Sequence, residues 1–185
     1  MITDLLADAR ERMGKSVEAT NGQFNTVRTG RASPALLDRI SVDYYGTQTP
    51  LKQLATISAP EARLLTIQPY DKSSIKAIEK AIDTSDLGLH PSNDGNLIRL
   101  AIPELTEERR RELVKTVRHI AEEGRVAIRN VRRDVMHDLR ELKEAGESSS
   151  DDEHRAEVEL QKLTDSRIGE LDALLKGKEA EILEV

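Results

Sequence analysis

Leu113-Val114-Lys115-Thr116-Val117-Arg118-His119-Ile120-Ala121-Glu122-Glu123-Gly124-Arg125-Val126-Ala127-Ile128-Arg129-Asn130-Val131-Arg132-Arg133-Asp134-Val135 is the stretch on which the fold turns. Leu113, Val117, Ile120, Gly124, Ile128, Val131 and Val135 recur at steps of three and four, which lays one apolar face along a helix. The pattern runs on through Leu139 and Leu142. It begins after Pro103, where Thr106 is a candidate N-cap and Glu107 and Glu108 occupy the first turn, favoured there by the helix dipole. The spacing predicts a helix of about 38 residues, about 57 Å long at 1.5 Å per residue. Gly124 interrupts it as a soft spot, costing about 1 kcal/mol relative to Ala.

Such a stripe cannot be buried alone, and the chain supplies two more. Upstream, Ile2, Leu6, Ala9, Met13, Val17, Thr20, Phe24 and Val27 make one helical face that Gly30 and Pro34 terminate. Downstream, Gly146 to Ser150 reads as a loop, and Ser150 with Glu153 has the capping-box pattern that opens a third helix. Leu160, Leu163, Ile168, Leu171, Leu174, Leu175 and Ile182 are its apolar positions. Packed together the three stripes predict a bundle with short-loop antiparallel neighbours.

Between the first and second helices the period changes. Ile40, Val42 and Tyr44 alternate with Ser41, Asp43 and Tyr45 as in a strand, which ends at Gly46. Arg63 to Gln68 reads as a second strand closed by Pro69, and Ile75, Ile78 and Ile82 mark a short helix. Leu87-Gly88-Leu89 and Leu97 to Ile102 flank the turn sequence Pro91 to Gly95, predicting a hairpin. The fold class expected is α+β: a long three-helix bundle (1–30 and 105–185) with a small inserted β/α/β domain (31–104). Thr29-Gly30-Arg31 and Pro103-Glu104-Leu105 both connect the insert to one end of the bundle. They are expected to act as a double-stranded hinge in an L-shaped molecule.

Composition limits what such a molecule does. Charged residues make up 34 % of the chain, against roughly 25 % in ordinary globular domains; this fits an elongated body with much surface per unit of core. No Cys is present, so thiol chemistry and Cys-based metal sites are excluded. Acids stand in the first eight residues where a secretory leader needs a basic stretch, and no apolar run approaches a membrane span. A cytoplasmic protein with no membrane partner is expected. The net charge of −6 hides an asymmetry: residues 106–144 hold 11 Lys/Arg against 9 Asp/Glu, and residues 150–185 hold 5 against 11.

Arg111, Arg118, Arg125 and Arg132 stand seven apart, and residues at that spacing lie within about 20° of one another on a helix. Arg129 and Arg133 crowd the same part. The series reads in three ways: solvated positions paired with the acidic third helix, a phosphate-binding ladder, or the docking face of an acidic protein. One Phe, three Tyr and no Trp leave little to stack on bases, so any RNA would be held by backbone and shape. Tyr44 and Tyr45 read as strand positions. His90, His119, His137 and His154 are scattered without metal-ligand spacing, and no phosphate loop or nucleophile motif occurs. No cofactor is expected and no enzyme activity.

Several segments go beyond composition. They are Arg28-Thr29-Gly30-Arg31-Ala32-Ser33-Pro34, Asp43-Tyr44-Tyr45-Gly46-Thr47, Ile67-Gln68-Pro69-Tyr70-Asp71, Ser85-Asp86-Leu87-Gly88 and Asn93-Asp94-Gly95. Leu105-Thr106-Glu107-Glu108-Arg109-Arg110, Arg129-Asn130-Val131-Arg132-Arg133 and the final Glu181-Ile182-Leu183-Glu184-Val185 complete the set. In this order and over the whole chain they resemble the bacterial ribosome recycling factor family. The resemblance implies a three-helix bundle hinged to a β/α/β domain, similar in shape to transfer RNA. It implies a monomeric, non-enzymatic translation factor that acts after termination, on a ribosome still carrying messenger RNA. With elongation factor G and GTP hydrolysis on that partner, it separates the subunits. The bundle is then expected on large-subunit ribosomal RNA near the inter-subunit bridge, with Arg129, Arg132 and Arg133 on that RNA and Arg110 and Arg28 as further candidates. Gly124 departs from what a stiff helix there would prefer.

Overall fold

The three apolar stripes become three long helices. The structure, a computed structural model, describes residues 1–184; Val185, last residue of the C-terminal match, lies outside the described residues. Helix α1 spans Ile2–Thr26, α4 spans Glu107–Glu144 and α5 spans Ser150–Glu184. Residues Met1–Arg28 and Glu108–Glu184 form one unit, and Thr29–Glu107 form another.

In the first unit α4 runs antiparallel to the other two helices. Arg12 of α1 reaches Asp134 of α4 at 2.8 Å, while Arg118 and Arg125 of α4 reach Glu179 and Asp172 of α5, both at 2.7 Å. Met13, Phe24, Val117, Ile128, Val135, Leu139, Leu160 and Leu171 fill the axis of the bundle. On α4 the buried line passes through Ala121, with Ile120 half-buried beside it. Two small residues, Ala121 and Gly124, therefore face the neighbours at mid-length. A methyl group placed on Gly124 would lie 2.6 Å from Leu171 Cδ1 and would also overlap the Thr20 hydroxyl. Gly124 is thus the close-approach point of all three helices, which corrects the expectation of a soft spot.

The start of α5 also differs from expectation. Ser149, not Ser150, caps it: its hydroxyl accepts from the Asp152 amide at 3.1 Å. Glu153 does not reach back to the cap; it is buried and receives Lys143 Nζ at 2.9 Å. That contact raises the Lys143 ammonium above its ordinary range.

The second unit holds more strands than its sequence suggests. β1 (Ser41–Tyr44) and β2 (Thr47–Pro50) form a hairpin. β3 (Ala55–Glu61), β4 (Leu64–Pro69), β5 (Pro91–Asn93) and β6 (Ile98–Ala101) form an antiparallel sheet in the order β3-β4-β6-β5. Two short helices complete it, α2 (Leu51–Leu54) and α3 (Ile75–Asp83). Leu37, Val42, Leu51, Leu65, Ile67, Ile78, Ile82, Ile98 and Leu100 make its core. The expected hairpin is shifted: Leu87-Gly88-Leu89 is not a strand, because Leu89 is spent on the core. Pro91–Asn93 is the strand instead, tolerable for a proline because β5 is the edge of the sheet.

Both ends of this unit are tied to one turn. Ala32 N–H donates to the Ala62 carbonyl at 2.7 Å and Ile102 N–H to the Arg63 carbonyl at 2.8 Å. Arg63 also pairs with Glu104 at 3.2 Å. Gly30, at φ +75°, lies where a methyl group would sit 2.8 Å from Leu105 Cγ.

Candidate nucleic-acid interface

Geometry sorts the arginines of α4 into two sets. Arg118 and Arg125 belong to the bundle seam. Arg118 Nε donates to Glu179 at 2.7 Å, and Arg125 bridges Asp172 at 2.7 Å and Glu122 at 3.0 Å. The hydrogen bond to Asp172, foremost, raises the Arg125 guanidinium above its usual range, and the bond from Arg125 in turn holds Glu122 below that of a free carboxylate. For these two positions the plain reading, pairing with the acidic third helix, is the one observed.

Between Arg125 and the Lys143–Glu153 pair beside the α4–α5 turn, the pairing lapses. Arg132, one heptad on from Arg125, meets no acid on α5; its Nη1 donates to the neutral Gln161 side chain at 2.6 Å. Its charge is therefore oriented but not cancelled, and its buried Nε has no hydrogen-bond partner. Arg129 is half outside the seam, touching Glu122 at 3.3 Å with 48 % of its side chain exposed. Arg133 is exposed and makes no hydrogen bond or ion pair among the described residues. These three, with Arg140, border one open depression on the outer face of α4. Asp134 and Asp138 share that border, but Asp134 is engaged by Arg12.

The depression can hold an anionic backbone. Several guanidinium groups present forked donors at a spacing of one to three helical turns, suited to phosphate oxygens. Arg140 was missed in the sequence although it stands seven after Arg133, the same interval that flagged the ladder. Arg110 and Arg28 are not part of this cluster. Arg110 is 19 positions before Arg129 on α4, roughly 28 Å along the axis, and Arg28 follows the C-terminal end of α1. Thr29, Gly30, Arg31, Glu104 and Leu105 fall within the second unit. Among the described residues no His/Cys/Asp/Glu group is arranged to hold a metal ion, and no helix is long and apolar enough to cross a membrane.

Comparison with known proteins agrees over the full length. The family model described as ribosome recycling factor matches residues 20–183. A ribosome-recycling factor of Rubrobacter xylanophilus is 63 % identical over 180 residues, covering 97 % of each chain. That of Halalkalibacterium halodurans is 56 % identical over 185 residues and covers all of both chains. Among solved structures, a ribosome recycling factor in solution superposes with a TM-score of 0.69 at 46 % identity, covering 100 % of this chain and 98 % of that one. A second, with TM-score 0.63 and 50 % identity over 99 % of both chains, is the Thermus thermophilus factor in models with Escherichia coli elongation factor G bound to the post-termination complex.

Proposed function

The chain belongs to the ribosome recycling factor family, and we propose from that premise that it grips the post-termination ribosome through the Arg129–Arg133 face of α4. Acting with elongation factor G and GTP, it then separates the subunits and frees the messenger RNA. The contact is to large-subunit ribosomal RNA near the inter-subunit bridge, made by phosphate and shape. The protein works in the cytoplasm as a monomer and performs no bond chemistry itself. The bundle serves as a stiff lever, and residues 29–31 and 104–105 form the joint that lets the α/β unit respond to the GTPase.

One observation supports the RNA contact above the others: two of the three arginines that the family resemblance places on the RNA, Arg132 and Arg133, have no carboxylate partner among the described residues. Arg125 faces Asp172, whereas Arg132 faces only Gln161. Each guanidinium laid on a phosphate releases about one counterion, so affinity falls steeply with salt. Co-sedimentation with large subunits over a range of salt tests this. Arg132→Ala and Arg133→Ala should each lower the slope of log K against log salt by about one unit. Arg118→Ala, whose charge is paired with Glu179 of α5, should leave that slope unchanged. Equal slopes for all three variants and the parent would remove this face from the contact.

A further inference from the structure

The ion pairs between α4 and α5 keep a regular step. Arg118 pairs with Glu179 and Arg125 with Asp172, so seven residues forward on α4 match seven back on α5. One more step brings Arg132 opposite Asp165. Residues seven apart share a helix face, and both helices run unbroken through these positions. The register therefore calls for a third closed pair, yet Arg132 and Asp165 are not joined to each other.

Gln161 stands between them. Its Oε1 accepts from Arg132 Nη1 at 2.6 Å, and its Nε2 donates to Asp165 Oδ1 at 2.9 Å. A guanidinium only donates and a carboxylate only accepts, so the amide has one workable orientation. It joins both functions in a single uncharged group. Gln161 and Asp165 are four residues apart on α5, a spacing at which such a pair also supports the helix. Asp165 is thereby occupied, and Arg132 is steered without being neutralised. Among the described residues Gln161 is the one hydrogen-bond partner of the Arg132 guanidinium, whose buried Nε has none.

We propose that Gln161 is a positioning residue for the RNA contact: its amide keeps Arg132 apart from Asp165 and leaves the guanidinium open to a backbone phosphate. This rests on the RNA contact proposed above. Without the amide, Arg132 would close the third pair as Arg118 and Arg125 close theirs. Phosphate would then compete with a carboxylate for the same forked donors. Exposed ion pairs are weak, so the competition costs a few fold in affinity and does not abolish binding. A glutamine that merely decorated the surface would have no bearing on RNA affinity.

The affinity of the full chain for large subunits at low salt tests this in Gln161→Ala, Asp165→Asn and the double variant. Gln161 is exposed and Ala is the better helix former, so the first variant keeps its fold. Asn at position 165 removes the charge but keeps an acceptor for the Gln161 amide. Gln161→Ala should weaken binding about two- to fivefold. Asp165→Asn alone should stay within about twofold of the parent. The double variant should return to within about twofold of Asp165→Asn, the coupling expected when one residue acts through another. Binding by Gln161→Ala equal to that of the parent overturns the proposal. So does a loss that persists in the double variant, which would make Gln161 a direct RNA ligand or a plain structural support. Arg132→Ala tells the two failures apart. If it leaves affinity and salt slope untouched, the RNA contact itself has failed; a weakened Arg132→Ala beside an unchanged Gln161→Ala sinks the role of Gln161 alone.

Discussion

At Gly124 a single methyl group sets two effects against each other. Ala gains about 1 kcal/mol of helix propensity over Gly, but the new carbon overlaps the Thr20 hydroxyl and Leu171 Cδ1. Thr20 cannot swing aside freely, since its hydroxyl donates to the Ser16 carbonyl at 2.9 Å. Overpacking of this kind costs about 1–3 kcal/mol. Gly124→Ala should therefore lose about 1 kcal/mol net in urea unfolding, and a stabilised variant would show that the helices part easily there. Asp71 offers a second test. Hydrogen bonds from Ser73, side chain first and then amide, and from Tyr44 hold its carboxyl below the ordinary value. A carboxyl lowered on folding contributes stability that is complete above the unfolded value of about 3.9 and is lost as pH falls through the folded one. In thermal melts followed by tyrosine absorption, Asp71→Asn should trail the parent near pH 6, and the gap should close as pH falls toward about 2. A gap that stays constant with pH would mean Asp71 acts through shape alone.

Among the elements, legibility followed the length of the buried stripe. α1, α4 and α5 could be read from the chain because each repeats its apolar step over many turns. β2 could not: Thr47-Gln48-Thr49-Pro50 has no apolar member on either face until Pro50, and it pairs only with β1. β3 carries Pro60 near its end and only Ile57 as a large apolar residue. Leu87-Gly88-Leu89 misled for the opposite reason, being apolar for packing and not for pairing. The sorting of the arginines was hidden too, since which flank of α4 meets acids depends on the rotation of α5, a property of neither helix alone. At the start of α5 the capping-box pattern put the cap at Ser150, and the structure puts it one residue earlier, at Ser149. Ser149→Ala should cost about 1 kcal/mol and Ser150→Ala a few tenths at most; equal losses in chemical denaturation would undo that assignment.

At the scale of the whole molecule the chain passes between its units twice, and the proposed joint is where mechanics should show. Gly30 needs a positive φ and sits against Leu105, so Gly30→Ala adds about 1–2 kcal/mol of backbone strain and pushes on the second connection. Stopped-flow splitting with elongation factor G and GTP should slow for this variant, while affinity for large subunits stays within about twofold. Full-speed splitting would relieve residues 29–31 and 104–105 of any role as a joint. The change of period between Gly30 and Pro103 was readable in the chain. The coupling of the two connections was not, because it depends on bonds to the distant Ala62 and Arg63.

Those two bonds carry a further meaning. Ala32 and Ile102 are 70 positions apart in the chain, yet they are fastened to consecutive residues of one tight bend. A cassette whose ends are clasped side by side can be spliced into or out of a host at one place without unravelling its own weave. The α/β unit has the form of such a cassette, and replacing it with a brief bridge from Arg28 to Glu108 should leave the three rods able to find one another.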